Sequence, residues 1–375
     1  MKRLAYIIMV VLFATLCTPL EVSAQATSTG NGNPLSIVEA IEIAWDKNPA
    51  LRKAKLEVDR AQIARDKSLE AVTWIPTGGL VVPAYQQVFN TYQQAEIGLT
   101  AAKKTEKLEK NRIAKEVIKA YTNALNDYKS MQLAYATYKN IQERASINSL
   151  ANSIGLSSAY DYEQFKLTKN KAEQDYLAAE SAYRSSIAEL RQILNKSNEW
   201  QPQLISEPVI TTYDREDLST ELARSMSESV LVWSKEALLD IEKSKQNWVI
   251  PNLPSDLQKI DLDMAEIDYE QAKQDARVII EGLYHTIDLL EGQIESAEVN
   301  LKIAEKELAL ANLRYELGMI AKNGITGEQD LSSAQLKAQA AEVQLIKLKS
   351  QLAQAKAEFA YLTSKEVFNE QDWKQ

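Results

Sequence analysis

Few side chains in this 375-residue sequence can do chemistry: it has one histidine and one cysteine. His285 has Glu281 and Asp288 one helical turn away on either side, so all three share a helix face. An imidazole between two carboxylates is a minimal metal-binding grouping. With no cysteine partner and no second histidine, the acids read more readily as solvated helix charges. Cys17 lies in an apolar N-terminal stretch that reads as a signal, which leaves the mature chain with neither a disulfide nor a thiolate. There is no phosphate-binding glycine loop and no nucleophile motif. The expectation is a non-enzyme with no catalytic residue, cofactor or metal. The residues that stand out instead sit where long helical patterns turn: Gly155-Leu156, Gly318-Met319, and the acids Asp161, Glu163 and Asp330.

Lys2 and Arg3 precede an apolar run from Leu4 to about Leu16, and Val22-Ser23-Ala24 offers a small-residue cleavage site before Gln25. Residues 1–24 are therefore expected to be a secretory signal. Pro19 and Glu21 argue against a membrane anchor, and Leu16 and Ala14 do not fit the lipid-attachment pattern around Cys17. Cleavage removes two basic residues and one acidic residue from a chain of net charge −9, so the exported protein stays acidic. That makes nucleic acid a poor partner. No later segment has the ~18 apolar residues of a membrane helix. With only 11 glycines and 9 prolines, long helices are expected over most of the mature chain.

The stripes bear this out. Leu331, Ala334, Ala338, Ala341, Leu345, Leu348, Leu352, Ala355, Phe359 and Leu362 alternate steps of three and four, which reads as ~48 Å of helix. Ile294, Ala297, Leu301, Ala304, Leu308, Ala311 and Tyr315 form its outgoing partner across a turn at Gly318. An earlier pair runs from Ile113 through Val117, Ala120 and Ala124 to Ala145, and returns from Tyr162 through Phe165, Ala172 and Tyr176 to Leu190. Before each pair stand a short helix, a break and a second helix. Asn48-Pro49 is the break in the first repeat and Ser229-Val230 in the second. Residues 76–93 interrupt the first repeat, with Leu80-Val81-Val82 strand-like and helix resuming near Ala95. In the second, helix resumes between Ser255 and Asp261.

The chain thus divides into a signal (1–24), a flexible leader (25–34), a first repeat (35–194), a linker (195–216) with a short strand expected at Val209–Thr212, a second repeat (217–365) and a polar tail (366–375). A second stripe runs beside the first on two arms. On the last arm it is Leu336, Ala340, Val343, Ile346, Ala353 and Ala357. On the outgoing arm it is Val299, Ile303, Leu310, Leu313 and Leu317. Two seams on one helix demand neighbours on both sides, as in a curved wall of staves. The blander alternative is a coiled-coil hairpin or a four-helix bundle. The duplicated plan and double seams favour an oligomeric α-barrel.

At this point the sequence resembles the TolC family of outer-membrane efflux proteins over about residues 35–365. The opening LSIVEAIEIAWDKNPALRKAKLEVDRAQIA matches that family's first helix pair with its NP-x-L break. SIGLSSAYDYEQ and the pair RYELGM and DLSSAQLKAQ match its two helical tips. The resemblance implies a mainly α fold, with two tandem coiled-coil hairpins per chain and three chains closing an α-barrel. It implies a homotrimer in the cell outer membrane and periplasm that docks a periplasmic adaptor (membrane fusion) protein and, through it, an inner-membrane pump. The implied task is passage of substrates out across the cell envelope, as the duct of a tripartite efflux or type I secretion system.

Carried over residue by residue, Gly155, Leu156, Gly318 and Met319 occupy the adaptor-docking tips. Asp161, Glu163 and Asp330 occupy the channel-entrance positions, where a three-fold axis would repeat each carboxylate into a cation-favouring ring. Equally, Asp161 and Asp330 are acids that complement a helix N-terminus. Ser333 departs from the family's second acid, and KNGITGE at 322–328 lengthens the second tip. The family also inserts β-strands at the apices. Here the apices are short against the ~9–11 residues per spanning strand, so the β-domain is expected to be reduced or vestigial. Trp74 and Trp248 stand there as interface anchors or as packing residues. An alternative function follows from that shortness: a non-spanning envelope spacer that binds an adaptor without forming a pore.

Overall fold

The computed structural model describes residues 33–72, 79–80, 83–208, 216–246, 248–249, 255–317 and 325–368. Among these are eight helices and four two-residue strands. The first repeat holds α1 (Ile37–Lys47), α2 (Pro49–Glu70), α3 (Pro83–Ser153) and α4 (Ala159–Ile193). The second holds α5 (Leu218–Glu228), α6 (Val230–Gln246), α7 (Ser255–Glu316) and α8 (Ile325–Leu362). The strands are β1 (Pro34–Leu35), β2 (Gly79–Leu80), β3 (Gln203–Leu204) and β4 (Trp248–Val249).

Local chemistry sets the breaks. Ser36 caps α1 reciprocally with Glu39: its Oγ accepts from the Glu39 N–H at 3.1 Å, and its own N–H donates to Glu39 Oε2 at 3.0 Å. Asn48 ends α1 in extended backbone and caps α2, its Oδ1 accepting from Ala50 N–H at 2.8 Å, while Pro49 fills the first helical position. In the second repeat Asp217 caps α5, and Ser229 separates α5 from α6. α1 and α5 are each 11 residues long.

Two helix boundaries differ from the sequence expectation. α3 begins at Pro83, not near Ala95, because a proline whose φ is preset suits the first turn of a helix as well as it suits a loop. α8 begins at Ile325, so the end of the 322–328 insertion is helical. The linker strand is Gln203–Leu204; the expected Val209–Thr212 lies outside the described residues, as do the signal and most of the leader and tail.

The 71 residues of α3 span ~105 Å. Along its C-terminal half the staves lie in the order α4, α3, α8, α7. Along the opposite half α2 packs on α3 and α6 on α7, α6 also meets α3, and the end of α5 is tied to α3 by the Lys104–Glu228 pair at 3.6 Å. The wall is thickest at mid-height, where Ile37, Ala40, Ile41 and Ala44 of α1 bury against Ile113, Val117, Ile118 and Tyr121 of α3. Tyr121 hydroxyl donates to Leu35 C=O and accepts from Ser206 N–H, both at 2.9 Å, tying β1 and the linker to α3. Burial raises its pKa. β1 pairs in parallel with β3, tying the start of the first repeat to the linker, and β2 pairs in parallel with β4, joining the two repeats. The described β structure is confined to these pairs, which agrees with a reduced β apex.

Candidate functional site: the hairpin tip and the open edges of the wall

The first tip is built by a glycine. The N–H of Gly155 donates to Asn152 C=O at 3.2 Å and that of Leu156 to Ala151 C=O at 2.8 Å, the paired bonds that close a helix on a left-handed residue. Gly155 has φ +74°, a conformation that costs an L side chain ~1–2 kcal/mol. Ser158 then restarts the chain as α4. Its Oγ accepts from Asp161 N–H at 3.0 Å and donates to Asp161 Oδ2 at 2.7 Å.

The carboxylate of Asp161 is therefore part of the cap, in the first turn where the helix dipole favours it. Glu163, a half turn on, is paired with Lys166 at 2.9 Å, and that ammonium also lies 4.8 Å from the ring of Tyr162. The bond to Glu163 raises the pKa of Lys166. Both acids are exposed. So are Leu150, Ile154, Tyr160 and Leu156, the last 78 % exposed, which gives the tip an apolar surface on a rigid turn. Of these four only Leu156 is legible from the family motif. The others stand off the buried stripe, and that offset is the signal that sequence reading passed over.

Gly318, Met319 and Trp74 lie outside the described residues, as do the side chains of Asp330 and Trp248; the backbone of Trp248 forms β4. His285 is exposed and meets Tyr284 edge-on at 6.0 Å. Among the described residues no group of His, Cys, Asp or Glu is arranged to hold a metal, and no helix is long and apolar enough to cross a membrane.

The second stripes of the two arms have different fates. On α8 its C-terminal part is taken up within the chain: Ala353 and Ala357 bury against α3, Leu336, Val343 and Ile346 are half-buried, and Ala340 is exposed. Polar contacts run along the same seam, with Ser350 Oγ donating to Asn126 Oδ1 at 2.9 Å and Gln354 Nε2 donating to Thr122 Oγ1 at 2.8 Å. On α7 the stripe of Val299, Ile303, Leu310, Leu313 and Leu317 is open, each about half exposed or more. It continues up the same helix through Leu289, Val278, Ile267, Met264, Ile260 and Leu257, all exposed. The opposite edge of the wall is α2 in the upper half, with Leu56 and Ile63 exposed, and α4 in the lower, with Leu167 and Leu177 exposed. The protomer is thus a wall of helices with two unlike apolar edges.

Neither a protein-family model nor a curated protein matches the sequence. Solved structures do match its fold. A membrane protein from Pseudomonas aeruginosa superposes with a TM-score of 0.64 at 12 % identity, over 89 % of this chain and 92 % of its own. The open state of the Neisseria gonorrhoeae MtrE outer membrane channel gives 0.60 at 15 % identity, over 88 % and 89 %. The outer membrane protein VceC from Vibrio cholerae gives 0.60 at 14 %, over 88 % and 97 %. The chain therefore has the TolC-like fold of these helical outer-membrane proteins, as its tips and duplicated hairpins imply. At these identities the likeness is one of architecture.

Proposed function

We propose that three copies of this chain close into a helical tube that serves as the exported duct of a tripartite efflux or type I secretion system in the cell envelope. The observation that carries this reading is the pair of open edges. An apolar face along the whole of α7 cannot be satisfied within the protomer, and α2 and α4 offer the complementary edge on the far side. Because the edges differ, contacts between copies are head-to-tail, the kind that form a ring when the rotation between neighbours closes. Burial at ~25 cal/mol per Å² of apolar surface drives that closure. The resemblance to the TolC family implies three as the number of copies, and the likeness in fold to an outer membrane channel and an outer membrane protein supports the cell envelope as the place.

In this tube Gly155-Leu156, with Gly318-Met319 on the second hairpin, dock a periplasmic adaptor coupled to an inner-membrane pump. Asp161, Glu163 and Asp330 ring the entrance and favour cations. The tube positions and conducts; it does no bond chemistry. Native mass spectrometry of the mature protein should give a trimer, and a monomer overturns the ring. Loss of the protein should raise retention of an effluxed dye in cells that also carry the pump. A second reading, a spacer that binds an adaptor without conducting, is favoured by the short apices. It calls for a trimer whose loss leaves dye retention unchanged.

A further inference from the structure

In the upper half of the wall the two open edges carry opposite charge. On α2 the exposed Leu56 and Ile63 are flanked by Lys53, Arg60 and Lys67, each three or four residues from one of them. These three recur every seven residues, two helical turns, so they form one basic row beside the apolar pair. All three are exposed. The other flank, Arg52, Asp59 and Asp66, is mixed, and Asp66 is already held by Arg65 at 3.3 Å and by Gln62 at 3.0 Å.

On α7 the exposed stripe Leu257, Ile260, Met264 and Ile267 lies between two acidic rows. Asp256, Asp263 and Glu270 form one, and Asp261, Asp268 and Asp275 the other, again at seven-residue steps. All six are exposed. From Asp256 to Asp275 seven acids stand against two lysines, so this edge repels a copy of itself. Part of the charge is answered within the chain. Asp268 pairs with Lys235 of α6 at 2.6 Å, Glu270 pairs with Lys273 at 2.6 Å, and Gln271 donates to Asp275 at 2.8 Å. On α2, Arg60 lies 3.3 Å from Glu57. Lys53, Lys67, Asp256, Asp261 and Asp263 make no ion pair among the described residues.

Charges that flank an apolar seam between two helices set which helix pairs with which. Both flanks of the α7 stripe are acidic, so the basic row of α2 meets acid whichever way the two stripes are laid together. Within the protomer α2 packs on α3, and α7 packs on α6 and α8, which leaves both charged faces to another molecule.

We propose that the upper half of the ring closes through an ionic lock, in which Lys53, Arg60 and Lys67 of α2 face the acidic flank of α7 in a second copy of this chain. The lock rests on the ring reading and specifies its contact: the stripes supply adhesion, while charge selects the partner and orders the copies. Two α7 edges are held apart by like charge, so wrong pairings are rejected as well as the right one favoured. Ionic strength becomes a control on closure, because salt screens exposed pairs.

The test is sedimentation velocity of the full-length mature protein in about 0.05 M and about 0.5 M sodium chloride. The wild type should assemble at low salt and dissociate more readily at high salt. Lys53→Glu, Arg60→Glu and Lys67→Glu together should weaken assembly at low salt about tenfold or more, with helicity by circular dichroism unchanged. Adding Asp261→Lys and Asp263→Lys to that variant should recover most of the loss, which a merely damaged fold would not do. If the triple variant loses helicity, Lys53→Glu with Lys67→Glu carries the same test at two exposed residues. An assembly unchanged by the reversals overturns the lock and leaves the ring standing, as does a loss that the α7 lysines fail to recover. A wild type that is monomeric at both salt concentrations overturns the ring and the lock together.

Discussion

The α3/α4 hairpin closes on tyrosines, whereas the α7/α8 hairpin closes on leucine and alanine. In the first, Tyr138 stacks on Tyr176 at 6.1 Å, Tyr135 tilts onto Tyr176 at 5.4 Å, and Tyr128 meets Tyr183 at 5.3 Å. In the second, Leu290, Ala297, Leu345 and Leu348 form a continuous buried cluster. Their short helices contrast in the same way. α1 buries Ile37, Ala40, Ile41 and Ala44, while α5 buries Glu221 and Ser225 at the positions equivalent to Ala40 and Ala44. Glu221 is fully buried, paired with Lys365 from the segment after α8, 3.6 Å from Arg224, and hydrogen-bonded to Glu216 N–H at 3.1 Å. One backbone plan has thus been given two chemistries. The lesson is that a head-to-tail ring needs unlike edges, and duplication followed by divergence supplies them within one chain.

Breaking the difference between the edges should have the largest effect. Ile303→Asp with Leu310→Asp on the open face of α7 should leave helicity intact and weaken ring formation by about a hundredfold or more, since each loses ~1.5–3 kcal/mol of burial per interface. Analytical ultracentrifugation reads this directly, and an unchanged trimer would show that α7 is not the closing edge.

Next is the ionic side of the α1/α5 contrast. Lys365→Ala removes the main partner of a buried carboxylate and should cost about 3–4 kcal/mol of stability, measured by denaturant unfolding. Leu345→Ala in the aliphatic seam should cost about 3 kcal/mol, through lost burial and a cavity. Tyr176→Ala in the half-open aromatic seam should cost about 1 kcal/mol. Equal losses at these two sites would erase the distinction between the hairpins.

Gly155→Ala should cost about 1 kcal/mol, from the left-handed backbone alone, and should weaken adaptor binding measured by calorimetry if the turn is the docking element. The smallest effect separates the two helix caps. Asp217 caps α5 by accepting from Thr220 N–H at 3.2 Å, and hydrogen bonds from Ser219 and Thr220 lower its pKa from 3.8 to about 2. A depressed carboxylate stabilises the fold above its unfolded pKa and loses that contribution as pH falls through the folded value. The cap on α5 should therefore weaken between pH 3.8 and about 2. Asp217→Ser, which copies the hydroxyl cap of α1, should remove that part of the acid dependence; hydrogen exchange of the first turn of α5 measures both.

Much of this was legible because helices follow local rules. The three-four stripes located α7 and α8, Asn48-Pro49 marked the first break, and Gly155 marked the tip. Pro83 misled because proline ends a helix and also begins one, and only the chain that follows it decides. The tip residues Leu150, Ile154 and Tyr160 were missed because an exposed apolar side chain carries no periodic signature of its own.

Taken alone, the sequence determined the helical repeats, the positions of their turns and the shortness of the apices, since helix propensity, capping and chain length act over a few residues. It also showed that some arms carry two apolar stripes. Only the tertiary structure decided which stripe is covered. The C-terminal part of the second stripe of α8, Ala353 and Ala357, is buried by α3, from the other repeat, while the second stripe of α7 stays open. Burial depends on which helix arrives alongside, and that neighbour is set by packing between segments more than two hundred residues apart, such as Thr122 and Gln354.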